Sequence, residues 1–350
     1  MSREFFLALA KTGATLPIGA VLVLHEKADV QEVMRNGTRF GEVIAEAAVR
    51  YQSPLAVPIM DLMLEKALML RCLDIPEADI PTWHFHDCPT PEQVARIRAK
   101  CEGPLDARLQ ANVDAVAHIA SKTSLYPIGM CIGPFSLMSK LIAEPITPVY
   151  LGGMGVTAAE EPDVARLEVV LDLAMTIITR SIKAQIAAGA KAIFIAEPAG
   201  NKVYISPNQM AEGSDVFERY VMTYNRRLKQ LLDAAGVDLV FHCCGELTDA
   251  MLKLYATLHP VMLSLGCSRS LPDDAKIVPA DIVLYGNLPS KKFYSDELIS
   301  VAQVVEQGRA LKQAMAATGH PFILGTECDV LHVPGADATI KAKVAAFQRC

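Results

Sequence analysis

From about residue 190 onward the chain alternates short apolar runs with longer helical patterns, and this alternation restricts the possible folds more than any other feature. The runs 192–196, 238–242, 261–265, 282–285 and 322–325 are apolar almost throughout. A strand exposed on one face would alternate polar with apolar residues, so unbroken apolar runs of this length point to strands covered on both sides. Between two of them, Asp215 and Glu218 have the spacing of a capping box. Phe217, Tyr220, Val221, Tyr224, Leu228, Leu231 and Leu232 then recur with helical spacing until Gly236. Similar patterns place helices at 162–188, 246–257, 296–317 and 337–348. Strand and helix in regular succession build a parallel sheet.

The first half repeats the theme less clearly. Segments 55–60 and 126–132 read as two more strands, and 30–50, 61–72, 91–100 and 106–122 as helices. Seven strands are visible in this way, and an eighth is expected near 80–85. An open doubly wound sheet has the same element order, but it carries a Gly-rich phosphate loop after a strand, and none is present here. The expected fold is therefore α/β, a (β/α)8 TIM-type barrel with extra N-terminal helices. No repeat, low-complexity tract or linker interrupts it. Residues 1–350 read as one barrel domain, with 1–53 as a helical extension packed on the barrel.

Charge and hydropathy exclude several classes of partner. The formal charge is −6, and the basic residues are scattered rather than gathered in a stripe, so no nucleic-acid role is expected. The most apolar helical stretch, 164–188, is broken by Glu168, Asp172, Arg180 and Lys183, which suits a core helix rather than a membrane span. The apolar run 5–10 is too short for a secretory signal. Nine cysteines, an odd number, argue against a disulfide framework. Reduced thiols and a cytoplasmic location are expected.

Chemistry concentrates where strands end, because the C-terminal strand ends of a barrel carry its active-site groups. The strand at 238–242 runs into His242, Cys243, Cys244 and Gly245. Alternation along an extended chain sends His242 and Cys244 to one side and Cys243 to the other, so the pair can share a metal ion. Spacing alone equally fits a buried histidine and a packed cysteine. A third ligand has to come from another strand end, and the last strand offers Cys328. One imidazole and two thiolates form a known catalytic zinc set with the fourth position open. A rival cluster, Trp83-His84-Phe85-His86-Asp87-Cys88, lacks a remote partner and reads otherwise as a polar rim loop, its tryptophan placed to shape a substrate pocket. Glu197, ending the strand at 192–196, is a candidate fourth ligand, acid/base group or partner to a ligand; the alternative is a solvated loop carboxylate. Cys267 is a spare thiol near the site or a packing residue.

The motifs Gly133-Pro134-Phe135, Phe241-His242-Cys243-Cys244-Gly245, Gly286-Asn287-Leu288 and Gly325-Thr326-Glu327-Cys328-Asp329 occupy matching positions in a known group. Over nearly its whole length the chain resembles the uroporphyrinogen decarboxylase superfamily, specifically its corrinoid-dependent methyltransferase branch. The resemblance implies a barrel, a zinc ion held by His242, Cys244 and Cys328, and methyl transfer to or from the cobalt of a corrinoid (cobalamin) carried by a separate protein. The small-molecule partner is then a methyl donor, such as an aromatic methyl ether or methylamine, or a thiol acceptor. Apolar residues near Met60, Trp83, Met130 and Tyr150 suit an aromatic ring. Gly286 and Asn287 become candidate binding residues, the latter otherwise completing a turn. Asp61 falls near the acidic residue that the decarboxylases use. Those decarboxylases also keep an arginine-rich segment near the N-terminus, whereas residues 15–25 here contain no arginine. A metal-independent lyase and a non-catalytic zinc-binding barrel subunit are the two alternative readings.

Overall fold

The computed structural model describes residues 2–350. Its parallel strands are β1 (Thr15–Leu16), β2 (Leu55–Ala56), β3 (Tyr126–Ile132), β4 (Ala192–Ala196), β5 (Asp238–Cys243), β6 (Met262–Leu265), β7 (Val283–Leu288) and β8 (Phe322–Thr326). They hydrogen-bond in the order β1-β8-β7-β6-β5-β4-β3-β2. From β2 to β8 each strand lies beside its successor, and β8 then pairs with β1, which is the winding of a barrel rather than of a doubly wound sheet with its reversal of order. Only β1 and β2 are not paired with each other. The fold is α/β, a curled TIM-type sheet with extra helices.

Two strand assignments differ from expectation: the strand expected over 55–60 is only Leu55–Ala56, and one strand lies elsewhere. The remaining strand is Thr15–Leu16 and not 80–85, where Phe85 makes only an isolated bridge to Ile142. A two-residue strand has no periodicity to read, while Trp83 and Phe85 have the composition of a strand and pack edge to face instead. Segment 1–53 thus contributes β1 as well as helices. The helix expected over 30–50 is two, Val30–Val33 and Gly37–Arg50, because the Asn36 side chain accepts the amide of Arg39 and starts the second afresh. Asp215 forms no capping box; its carboxylate pairs with Arg219, and the helix opens as a π turn over Glu218–Met222 before continuing as Thr223–Ala234.

Alternation along the strands sorts side chains into two cores. Ile128, Met130, Phe194, Val240, Met262, Tyr285 and Ile323 fill the barrel interior. Ile193, Ile195, Leu239, Phe241, Leu263 and Leu265 face the helices. The long helix Pro162–Ala187 packs there through Leu167, Val170, Leu171, Ala174, Ile177 and Ile178. Among the described residues no helix is long and apolar enough to cross a membrane.

A buried polar chain ties this helix to β3. Gln185 receives the Met130 amide at 2.7 Å and donates to the Met130 carbonyl at 2.9 Å. It also donates to Ser181, whose hydroxyl donates to Glu65 at 2.8 Å. Gly129 makes room, since a Cβ there would lie 2.5 Å from the Gln185 carbonyl oxygen. Glu65 is fully buried, and burial pushes its carboxyl up to about 7 from an ordinary 4.5. A folded-state value above the unfolded one means that this group favours folding below the unfolded value and that the contribution is lost as pH rises through about 7. The difference amounts to roughly 3 kcal/mol. Glu65→Gln keeps the acceptor for Ser181 but cannot ionise. Urea denaturation from about pH 4.5 to 8 should show wild type losing stability relative to this variant by up to that amount; a constant difference would refute a proton held at Glu65.

Candidate metal centre

The metal centre starts from strand register. His242 on β5 lies opposite Ser264 on β6, and both are buried. His242 shares the inward face of Val240, so its ring enters the barrel and tilts against Phe194 with centroids 5.5 Å apart. Nδ1 lies 2.8 Å from Ser264 Oγ. Nε2 is buried and has no hydrogen-bond partner. Leaving a buried polar nitrogen unpaired costs about 1–3 kcal/mol, so a ring pinned by one nitrogen with the other bare is built to meet something else.

Cys244 and Cys328 gather beside the His242 ring. One ligand atom from each of His242, Cys244 and Cys328 lies within 4.8 Å of the others, and they are the one such group of three or more His, Cys, Asp or Glu among the described residues. Both cysteines are half-buried free thiols. Contact with Cys328, helped by His242 against the opposing effect of burial, pulls the Cys244 thiol well below its ordinary range. The same contact, followed by burial, pushes Cys328 up. Burial works against the Lys291 ammonium, but Cys244, Glu327 and Cys328 outweigh it and hold it above its ordinary value. The donor set, one orphaned imidazole nitrogen and two convergent sulfurs, fits zinc. His-Nδ1 fixed by a neighbour is the usual support of a metal-bound histidine.

The other candidate residues fall elsewhere. Glu197 continues the outward face of Ile193 and Ile195, and its fully buried carboxylate is neither a ligand in this group nor solvated. It accepts the amides of Phe135 at 3.3 Å and Ser136 at 2.6 Å, and Asn225 Nδ2 at 3.0 Å. Burial raises its pKa although these donors oppose the shift. It therefore caps the helix Pro134–Leu141, and Gly133 is the cradle, since a Cβ there would stand 2.3 Å from the carboxylate. Asp61 pairs with Arg108 at 3.1 Å and borders a 710 Å³ cavity with Arg35, Arg71 and Arg108. Asn287 donates both amide hydrogens, to the carbonyls of Gly266 at 2.8 Å and Arg269 at 2.9 Å, and so completes a turn. Gly286 has φ +133, and a Cβ there would lie 2.9 Å from the Leu265 carbonyl oxygen, so a side chain is excluded. Cys267 is exposed. His84, His86 and Cys88 form no metal group.

Sequence reading missed Ser264 and Lys291. Ser264 had a signal, as the one polar residue of β6; Lys291 had none, since a lysine after a strand is ordinarily a solvated charge.

A family model described as Uroporphyrinogen decarboxylase (URO-D) matches residues 16–345. No curated protein matches the chain in sequence. Among solved structures, a methyltransferase from Methanosarcina mazei aligns with a TM-score of 0.66 over 96% of this chain and 93% of that one, at 16% identity. At that identity the likeness is one of fold.

Two substitutions separate the metal site from its scaffold. Ser264→Ala should weaken zinc binding by about 10–100-fold while the protein stays folded, as measured by competition with a chromophoric chelator; unchanged affinity would remove Ser264 from the site. Glu197→Ala, which strands three buried donors, should cost on the order of 3–5 kcal/mol in denaturant and leave zinc stoichiometry intact in the protein that remains folded.

Proposed function

The chain belongs to the uroporphyrinogen decarboxylase family, and from that premise we propose that it is a zinc-dependent methyltransferase exchanging a methyl group between a small substrate and the cobalt of a corrinoid carried by a separate protein. The grouping of His242, whose Nε2 is buried and bare, with the sulfurs of Cys244 and Cys328 carries this reading. The shared fold with a methyltransferase supports it, although fold alone does not decide chemistry. Zinc bound by the three residues would supply Lewis acidity, keeping a thiol substrate deprotonated or polarising the oxygen of a methyl ether.

The chain's own groups supply orientation and charge. Ser264 Oγ holds Nδ1, and with the proton on Nδ1 the Nε2 lone pair is free for the metal. Cys244 and Cys328 as thiolates offset a divalent charge, and Lys291 adds a cation beside them that favours an anionic substrate sulfur. Three protein donors leave one position for substrate. Strand ends at a barrel mouth suit docking of a partner that must bring cobalt close. Both cysteines must stay reduced to act, which fits the cytoplasm.

The lyase alternative fits less well: residues 15–25, where related decarboxylases keep arginines, form β1 and the apolar helix Ala20–Leu24. Purified protein should hold about one zinc per chain. Zinc-loaded enzyme should change the cobalamin spectrum with Co(I) cobalamin and one of a panel of methoxylated aromatics or methylamines, or with methylcobalamin and one of a panel of thiols. Cys328→Ser should abolish both zinc retention and transfer. Zinc retained without transfer in any combination would favour the non-catalytic subunit; activity indifferent to Cys328→Ser would favour the lyase.

A further inference from the structure

Met60 lies on the segment between β2 and the helix Leu64–Cys72. Its Sδ is 3.6 Å from Cys328 Sγ. Its backbone amide donates at 2.7 Å to Oδ2 of Asp329, the residue after Cys328. Asp329 is itself buried. Two independent contacts, one in which Met60 Sδ accepts from the Cys328 thiol and one through the main chain, thus fasten Met60 to Cys328 and its neighbour Asp329.

The separation has a chemical meaning. Two sulfur donors on one tetrahedral zinc, with bonds of about 2.3 Å, stand roughly 3.7 Å apart. A thioether is a soft, neutral donor of the kind that accompanies thiolate in sites for soft and borderline metals. The unbranched side chain can swing aside without moving the backbone. Among nearby carboxylates, Glu197 is committed to the helix it caps and Asp61 to Arg108, while Asp329 spends Oδ2 on the Met60 amide itself and keeps Oδ1 unpartnered.

On the zinc reading above, we propose that the thioether of Met60 is the fourth donor of the resting metal centre and gives way to substrate. The exchange is a ligand substitution. The bond to Sδ breaks, one to a substrate sulfur or oxygen forms, Met60 leaves as the neutral thioether, and a thiol substrate releases its proton to water. Nothing is oxidised or reduced. Asp329 acts as a positioning residue, holding the Met60 segment against Cys328.

Zinc K-edge X-ray absorption on the full-length, zinc-loaded protein grown with selenomethionine tests the assignment without reference to activity. A selenium atom is expected in the first shell of zinc, retained in Met63→Leu and lost in the volume-conserving Met60→Leu, where one light-atom scatterer takes its place beside two sulfurs and an imidazole. A first shell without selenium in the labelled parent, or a selenium shell that persists in Met60→Leu, would overturn the proposal while leaving the three-residue site standing. Failure of the protein to bind zinc at all would remove both.

Discussion

A bare imidazole nitrogen inside an apolar barrel is the constraint around which the site is organised. His242 reaches that position because β5 points every second residue inward, and Ser264 lies opposite to hold the other nitrogen. Bringing sulfurs to it is a matter of curvature. Strands β5 and β8 are separated by two others, so in a flat sheet they would stand about 14 Å apart. Here the donor atoms of His242, Cys244 and Cys328 lie within 4.8 Å of one another, because the sheet curls and the groups project into its mouth.

Strand parity also decides which polar residues are available for chemistry. Glu197 ends β4 beside His242, as near in register as any residue, yet points to the helical layer and fastens the helix after β3. The Gly133-Pro134-Phe135 motif is then a structural device: the glycine admits the carboxylate, and the next amides bind it. Asn287 is similar, since its amide closes the turn after β6. Residues of one family's shared motifs thus divide into those whose polar atoms are spent on the scaffold and those left free at the mouth.

The scaffold and the site carry different kinds of information. Agreement over 96% of the chain at 16% identity establishes that the barrel is shared, and a barrel supports many chemistries through its strand ends. The proposed function rests instead on the orphaned nitrogen and the two sulfurs gathered with it. Away from the mouth, Glu65 shows that a buried carboxyl displaced toward neutrality serves packing as well as chemistry, here linking two helices to β3.

Much of the fold was legible because local hydrophobic patterning encodes it: both-face-covered strands from Tyr126 onward appear as apolar runs, and helices by their period. Thr15–Leu16 was not, since two residues form a strand only where β8 offers an edge. His242 and Cys244 declared themselves by spacing on one strand, a local property. Cys328 was named from the last strand end and the resemblance, but the distance that joins it to them, the contact of Met60 with Cys328, the approach of Lys291 to Cys244 and the turning away of Glu197 were decided by tertiary structure alone. Sequence determines which side chains a strand can present and on which face; only closure of the sheet sets the distances between ends of different strands, and metal chemistry depends on those distances.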